Sequence, residues 1–217
     1  MDSVAAILDS AAAQVRAAVG PFAGQLTPAD HRRMAVAFHR AESLALNALR
    51  QALGQVGGAY RSELEEQIAD EARHVDVFAL GDATPEVAAP AGKRRDEPVW
   101  FALLLVNEIA GFCQFHLLAA LDEAAAGAAL AIAEDERRHI ERLARWLTRW
   151  RRAPVRETIE RIGRTFVKNL PGRMTQFVVN PDLDALNHAM IAIIAGAVSG
   201  ILEYRVADDD VAHGTVS

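Results

Sequence analysis

Apolar side chains recur along most of the chain at the three- and four-residue spacing of a buried helix face, and alternating strand-like stretches are nearly absent. After Thr27, for example, Phe38, Leu46 and Leu49 fall on one face of a helix. The pattern therefore predicts an all-α protein.

Glycine and proline divide this pattern into seven predicted helices. Gly20-Pro21 ends the first, and Leu170-Pro171-Gly172 is expected to end the sixth. The motif Asn180-Pro181-Asp182 begins the last, which reaches about residue 205. The other six are predicted at about 3–19, 28–53, 59–80, 98–121, 128–152 and 155–168.

The lengths of the links predict how these helices connect. Short turns join the second helix to the third and the fourth to the fifth, so each pair should form an antiparallel hairpin. The Pro-, Ala- and charge-rich link 82–97 is long enough to cross the length of a bundle. A short-looped bundle or an irregular helical array would need less connecting chain there. We expect one domain over 1–207, with a four-helix bundle at about 28–152 and a helical extension at 155–205. The acidic tail 208–217 is expected to be disordered.

Composition narrows the possible partners. A net charge of -6 gives no basic surface for nucleic acid. The single Cys113 excludes an internal disulfide and a thiolate metal cage. The apolar stretch 100–121 contains Glu108, and the stretch 190–202 is too short to span a bilayer, so no membrane segment is expected. Without a signal-peptide pattern, the protein is predicted to be cytoplasmic.

The chemistry-bearing feature is a repeated motif. Residues 70–74 and 135–139 both read Asp-Glu-x-Arg-His, each on a predicted helix. A Glu and a His three positions apart lie on one helix face, so both can reach one metal ion. One such pair is common on solvated surfaces, whereas two matching copies are a much stronger indication of a metal site.

Each copy has an upstream glutamate at nearly the same distance. Glu42 lies 29 residues before Glu71, and Glu108 lies 28 residues before Glu136. In an antiparallel hairpin these positions come level with each other. Glu108 also lies in a nearly all-apolar helix, where an unpaired carboxylate would be costly. The resulting candidate ligands of two metal ions are Glu42, Glu71, His74, Glu108, Glu136 and His139.

These motifs resemble those of the ferritin-like diiron carboxylate superfamily, over about residues 28–152. The resemblance implies a ferritin-like four-helix bundle with one long crossover, and two iron ions, with manganese in one or both positions as the alternative. It also implies that Asp70 and Asp135, which precede each Glu-x-x-His, accept a hydrogen bond from the metal-binding His of the opposite helix.

Two further residues have more than one interpretation. His39 lies one helical turn before Glu42, and we expect a buried, hydrogen-bonded histidine. The alternative roles of His39 are a third imidazole ligand of the metals and an acid/base that acts on the substrate. Gly111, one turn after Glu108, could open space for O2 or substrate, or could allow close helix packing.

The function favoured by these features is a non-haem diiron oxidase or oxygenase that uses O2 to oxidise a small organic substrate. It would need an external electron donor such as a ferredoxin or a reductase, and it could form a homodimer. The alternative is an iron-handling protein of the ferritin, bacterioferritin or rubrerythrin kind, acting as a ferroxidase or in peroxide protection. One cysteine leaves no room for a rubredoxin-type iron site.

Overall fold

The computed structural model describes residues 3–79, 94–150, 152, 154–174 and 183–207. Within these ranges the chain forms seven α-helices and no strand, which confirms the all-α prediction. Short 3-10 turns lie at Gly20–Phe22, Gly58–Tyr60 and Thr148–Trp150. The α-helices are α1 Val4–Val19, α2 Pro28–Leu53, α3 Arg61–Val77, α4 Glu97–Leu121, α5 Ala126–Leu147, α6 Val155–Met174 and α7 Asp184–Ala207. Most of the link predicted at 82–97 and all of the tail 208–217 lie outside the described residues.

The beginning of α2 shows how local sequence fixes a helix end. The Thr27 hydroxyl accepts a hydrogen bond from the backbone N–H of Asp30 at 3.2 Å. The Asp30 carboxylate in turn accepts one from the Thr27 backbone N–H at 2.9 Å. This reciprocal pair satisfies amide groups that have no partner inside the helix. Pro28 fits the first turn because its missing N–H would have no helical acceptor there.

Helices α2 and α4 lie antiparallel. Near one end, the His31 imidazole at the start of α2 contacts the Asp122 carboxylate just after α4 at 2.9 Å. Near the other, the backbone N–H of Gly57, just after α2, donates to the Glu97 carboxylate at the start of α4. Helix α2 also packs closely on α3, and α4 on α5.

Helices α3 and α5 also lie antiparallel. The Arg142 guanidinium on α5 contacts the Glu66 carboxylate near the start of α3 at 2.7 Å. Towards the end of α3, His74 contacts Asp135, which lies earlier in α5, at 3.1 Å. The four helices α2 to α5 are therefore linked in antiparallel pairs, and residues from all four can meet between them.

Helix α4 is the central element. It packs against α5 most extensively, and α1, α2, α6 and α7 also pack against it. One hydrophobic cluster contains residues from all seven helices, with Phe101 and Ile109 of α4 fully buried. The glutamate of α4, Glu108, is thereby held in the interior.

Helix α6 differs from the sequence prediction. The motif Leu170-Pro171-Gly172 was expected to end the helix, but α6 continues to Met174 with Pro171 inside it. Leu170 and Met174 are both fully buried. Burial of these two side chains compensates for the backbone hydrogen bond that proline cannot make.

Helix α7 is longer than the apolar stretch from which it is predicted. The stretch 190–202 alone is too short to span a membrane, but it belongs to a helix of 24 residues. By length and composition α4 and α7 could each cross a membrane. For α4, 78% of its apolar window is buried within the protein, as in the core helix of a soluble protein. The corresponding figure for α7 is 33%, so the absence of a membrane segment stays a prediction.

Candidate metal centre

The six residues singled out by the repeated motif meet between α2, α3, α4 and α5 in a buried cluster that could hold metal ions. Their ligand atoms form two groups, and within each group all the atoms lie within 4.8 Å of one another. Glu71 and Glu136 belong to both groups. The first group is Glu42, Glu71, His74 and Glu136, and the second is Glu71, Glu108, Glu136 and His139.

The Nδ1 atoms of the two histidines face the carboxylates. His74 Nδ1 lies 3.5 Å from a Glu42 oxygen and 3.5 Å from a Glu136 oxygen. His139 Nδ1 lies 3.1 Å from a Glu108 oxygen and 3.7 Å from a Glu71 oxygen. Each histidine thus contacts the glutamate of its own hairpin partner and a glutamate of the opposite hairpin.

The Nε2 atoms face outward and make a crossed pair of contacts. His74 Nε2 lies 3.1 Å from a carboxylate oxygen of Asp135, and His139 Nε2 lies 3.1 Å from one of Asp70. The aspartate of each motif thus contacts the histidine of the other. When Nε2–H donates to the aspartate, Nδ1 is left with its lone pair directed at the cluster, as a metal ligand requires.

Two arginines hold these aspartates in place. Arg73 donates to Asp70 at 2.6 Å and to Asp135 at 3.2 Å. Arg138 lies 2.7 Å from Asp135 and 3.4 Å from Asp70. Their side chains are about half exposed, at 58% and 46%. Their tips nevertheless bridge the two motifs, a role that their position on the outer helix faces did not indicate.

Burial and mutual repulsion disturb the ionisation of the cluster. Burial, with the charges on Glu108 and Glu42, raises the pKa of Glu71 well above its usual range. Burial, with the charges on Glu108 and Glu71, does the same to the pKa of Glu136. For His74, burial lowers the pKa, but Glu42 and Glu71 outweigh this effect and raise it to about 10. Without cations, the cluster therefore retains protons that bulk water would remove.

The pKa of Glu108 shifts in the opposite direction to those of Glu71 and Glu136. Burial alone would raise its pKa, but hydrogen bonds from Glu136 and His139 outweigh burial and lower it. Its second oxygen accepts a hydrogen bond from the Gln67 side-chain amide at 2.9 Å. Gln67 is fully buried on α3, one turn before Glu71. The equivalent position on α5 is Ile132, so this hydrogen bond breaks the symmetry between the two motifs.

Sequence reasoning missed Gln67. A signal was present, because Gln67 lies four residues before Glu71 and therefore on the same buried helix face. Its partner Glu108 is on α4, and no spacing within α3 indicates that contact.

Several polar atoms in the cluster have no hydrogen-bond partner among the described residues. They include Glu71 Oε2 and His74 Nδ1, both buried inside the protein. Buried polar atoms of folded proteins are normally satisfied, and a carboxylate oxygen beside an imidazole lone pair suits a cation. The donor set of four carboxylates and two imidazoles therefore fits a pair of divalent iron or manganese ions.

A cavity of about 430 Å³ reaches the cluster from the α2 and α4 side. All four glutamates line it, and neither histidine does. Gly111 also lines it, and the three atoms nearest to a Cβ built at this position all belong to the Glu136 side chain, the closest at 3.5 Å. Of the two interpretations of Gly111, these contacts favour space beside the carboxylates, since the nearest neighbour is a ligand side chain and not the backbone of another helix.

His39 is not part of either ligand group. It is buried on α2, with 8% of its surface exposed. Its Nδ1 atom has no hydrogen-bond partner among the described residues, and a hydrogen bond through Nε2 stays a prediction.

No protein-family model matches the chain, and no curated protein or solved structure has a significant match to it. The geometry of the cluster and of the cavity beside it is therefore the basis for assigning a function.

Proposed function

We propose that α2 to α5 form a ferritin-like four-helix bundle with one long crossover between α3 and α4, and that it holds two iron ions. The antiparallel α2/α4 and α3/α5 contacts support this arrangement. So does the sharing of Glu71 and Glu136 between the two ligand groups, because carboxylates can bridge two cations and offset their charge.

We propose further that the protein is an oxidase or oxygenase acting on a small organic substrate, with O2 as co-substrate. The observation that carries this proposal is the cavity that reaches the four carboxylates. Its walls include Leu104, Ala110 and Leu170, which exclude water from the space beside the cluster. A protein that only oxidised and stored iron would need a path for ions, and aliphatic walls are poorly suited to one.

Each residue of the site has a distinct part in this function. Bound ferrous ions would supply the electrons that reduce O2, which side chains cannot provide. Asp70 and Asp135 would keep the Nε2 protons on His139 and His74, and so keep both Nδ1 atoms free to bind metal. Gln67 would hold one oxygen of Glu108 in a fixed direction.

The overall reaction needs an external reductant. Inserting one oxygen atom of O2 into a C–H or N–H bond and releasing the other as water consumes two electrons and two protons. We propose an electron-transfer protein, such as a ferredoxin or a reductase, as their source. A cytoplasmic monomer or homodimer would suit such an enzyme, whereas a storage protein would form a shell.

The test combines metal content with the fate of iron. Anaerobic loading should give about two ions per chain by elemental analysis, and growth with both metals should show whether iron or manganese is bound. Repeated additions of ferrous iron and O2 should then leave the iron content unchanged and the protein a monomer or dimer. Many ferric ions per chain in a shell-sized assembly would instead support the iron-handling alternative. One ion or none would refute the dinuclear site.

A further inference from the structure

The cavity beside the carboxylates has ends of opposite charge. At the buried end lie the four glutamates, with Glu71 only 1% exposed. At the open end two exposed arginines, Arg40 of α2 and Arg173 of α6, line the same cavity. Between these ends the described walls are mostly aliphatic, with the amide side chains of Asn107 and Gln114 among them, and no described aromatic side chain lines the cavity. The wall residues include Ala41, Ala45, Leu104, Ala110 and Leu170.

Arg173 is held in position by neighbouring side chains. Its guanidinium donates to the Asn107 side-chain oxygen at 2.8 Å and stacks on the Phe166 ring, 4.7 Å from the ring centroid. The amide of Asn107 is oriented by its own hydrogen bond to the Leu103 carbonyl at 2.6 Å. A neutral acceptor uses only part of the guanidinium, so further N–H groups can bind an anion.

The Arg40 side chain makes no hydrogen bond or ion pair with any residue that the structure describes. The only carboxylates among the described lining residues of the cavity are the four of the metal cluster. Two divalent cations would offset these four negative charges. Two positive charges at the open end would then have no counter-ion within the cavity.

We propose that Arg40 and Arg173 bind the anionic head group of an aliphatic substrate, whose chain lies along the apolar walls towards the carboxylates. This inference rests on the proposed function, since it names the substrate class of the same site. Guanidinium groups bind carboxylate and phosphate in the same paired geometry, so the head group is an anion of either kind. The reacting carbon would then be at the far end of the chain from the charge.

The test measures binding and therefore does not depend on turnover. Octanoate, octyl phosphate and the neutral octanamide would be titrated calorimetrically into the full chain, with and without anaerobic ferrous iron. We expect at least one of the two anions to bind about tenfold more tightly than octanamide, as for charge-assisted hydrogen bonds. The tighter of the two identifies the head group.

Substitutions of the two arginines test whether these side chains bind the anionic head group. Arg40→Gln and Arg173→Gln should each weaken anion binding about tenfold and leave octanamide binding unchanged. The matched control is Arg164→Gln, which removes an exposed arginine of α6 that pairs with Glu160 away from the cavity. Should Arg173→Gln unfold, Arg173→Lys keeps the charge, and Arg40→Gln removes no hydrogen bond or ion pair within the described chain.

Equal affinity for the anions and octanamide, or equal effects of Arg164→Gln and Arg40→Gln, would overturn this inference. In that case the iron content would still be two per chain and the proposed function would stand. If the proposed function failed instead, elemental analysis would give one metal ion or none per chain. The preference for an anion would still persist in the metal-free protein.

Discussion

At the scale of single residues, the two halves of the cluster differ at Gln67 on α3, whose equivalent on α5 is Ile132. The Gln67 amide occupies one oxygen of Glu108, and the described structure has no counterpart of this bond at Glu42. A hydrogen bond to a carboxylate withdraws electron density from it and restricts its rotation. We therefore expect the two metal ions to bind with different affinities.

Replacing Gln67 with Ile, the residue at the equivalent position, should remove this difference. The Gln67→Ile variant should still bind two ions, with stepwise dissociation constants that lie closer together than in the wild type. Titration with Mn²⁺ followed by electron paramagnetic resonance measures both steps. Ile132→Val is the control, since it trims a buried side chain without adding or removing a hydrogen bond. An unchanged separation of the two steps in Gln67→Ile would contradict the assigned role.

Glu136 gives a prediction about pH. Its raised pKa means that the folded, metal-free chain keeps a proton which the unfolded chain releases above its ordinary pKa near 4.5. Stability of the metal-free chain should therefore fall as the pH rises from that value. Glu136→Gln removes this penalty, so the metal-free variant should melt at a higher temperature than the wild type at pH 7, with a smaller difference at pH 4.

Thermal denaturation across this pH range measures the effect. Glu134→Gln, an exposed neighbour on α5, is the control and should leave the pH dependence unchanged. Glu136→Gln should also bind little metal, because both ligand groups contain Glu136. A metal-free variant less stable than the wild type at pH 7 would show that Glu136 is not strained by its burial.

The clustering of the six residues could be predicted because helix geometry converts spacing into direction. A Glu and a His three apart must share a face, and a short hairpin brings Glu42 level with Glu71. The bridging by Arg73 and Arg138 could not be predicted, because each reaches an aspartate on the other helix. Contacts of that kind depend on how two helices pack, which spacing along one helix does not specify.

At the scale of elements, α6 shows tertiary packing overriding a local helix-stop signal. The end of α6 places Leu170 and Arg173 on the cavity, and the helix accepts Pro171 within that last turn. Among the described residues, the cavity is lined by α6 and by no residue of α7.

Pro171→Ala should stabilise the protein by about 1–2 kcal/mol. An interior proline costs about 3 kcal/mol through its missing hydrogen bond and its steric clash, and part of this is offset by the greater freedom of alanine in the unfolded chain. Urea denaturation measures the free energy of unfolding. A loss of stability would mean that the ring of Pro171 holds the end of α6 against the cavity.

At the scale of the whole molecule, metal binding should couple to overall stability, because the candidate ligands come from four helices. An ion that binds only the folded chain adds about 4 kcal/mol at a thousandfold excess over its dissociation constant. We expect the melting temperature to rise with ferrous or manganous ions in the wild type and to be unchanged by them in Glu136→Ala.

Metal binding should also release protons. The raised pKa values of Glu71, Glu136 and His74 mean that cations displace protons from the cluster. Metal affinity should therefore increase with pH. A pH-stat titration in weak buffer counts the protons released, and an affinity independent of pH would contradict this ionisation pattern.

The general fold class followed from helical periodicity and from the Gly and Pro positions between helices. The packing of α1, α6 and α7 around α4 did not, since an apolar helix face indicates burial without identifying its partner.

The crossed contacts of Asp70 with His139 and of Asp135 with His74 have a consequence for sequence variation. Within each five-residue motif, the aspartate and the histidine are neighbours in the chain but belong to different metal positions. Selection on one metal position would act on a pair of residues from separate motifs. Among related chains, substitutions at position 70 should therefore accompany substitutions at 139, and those at 135 should accompany those at 74. Covariation within one motif should be weaker.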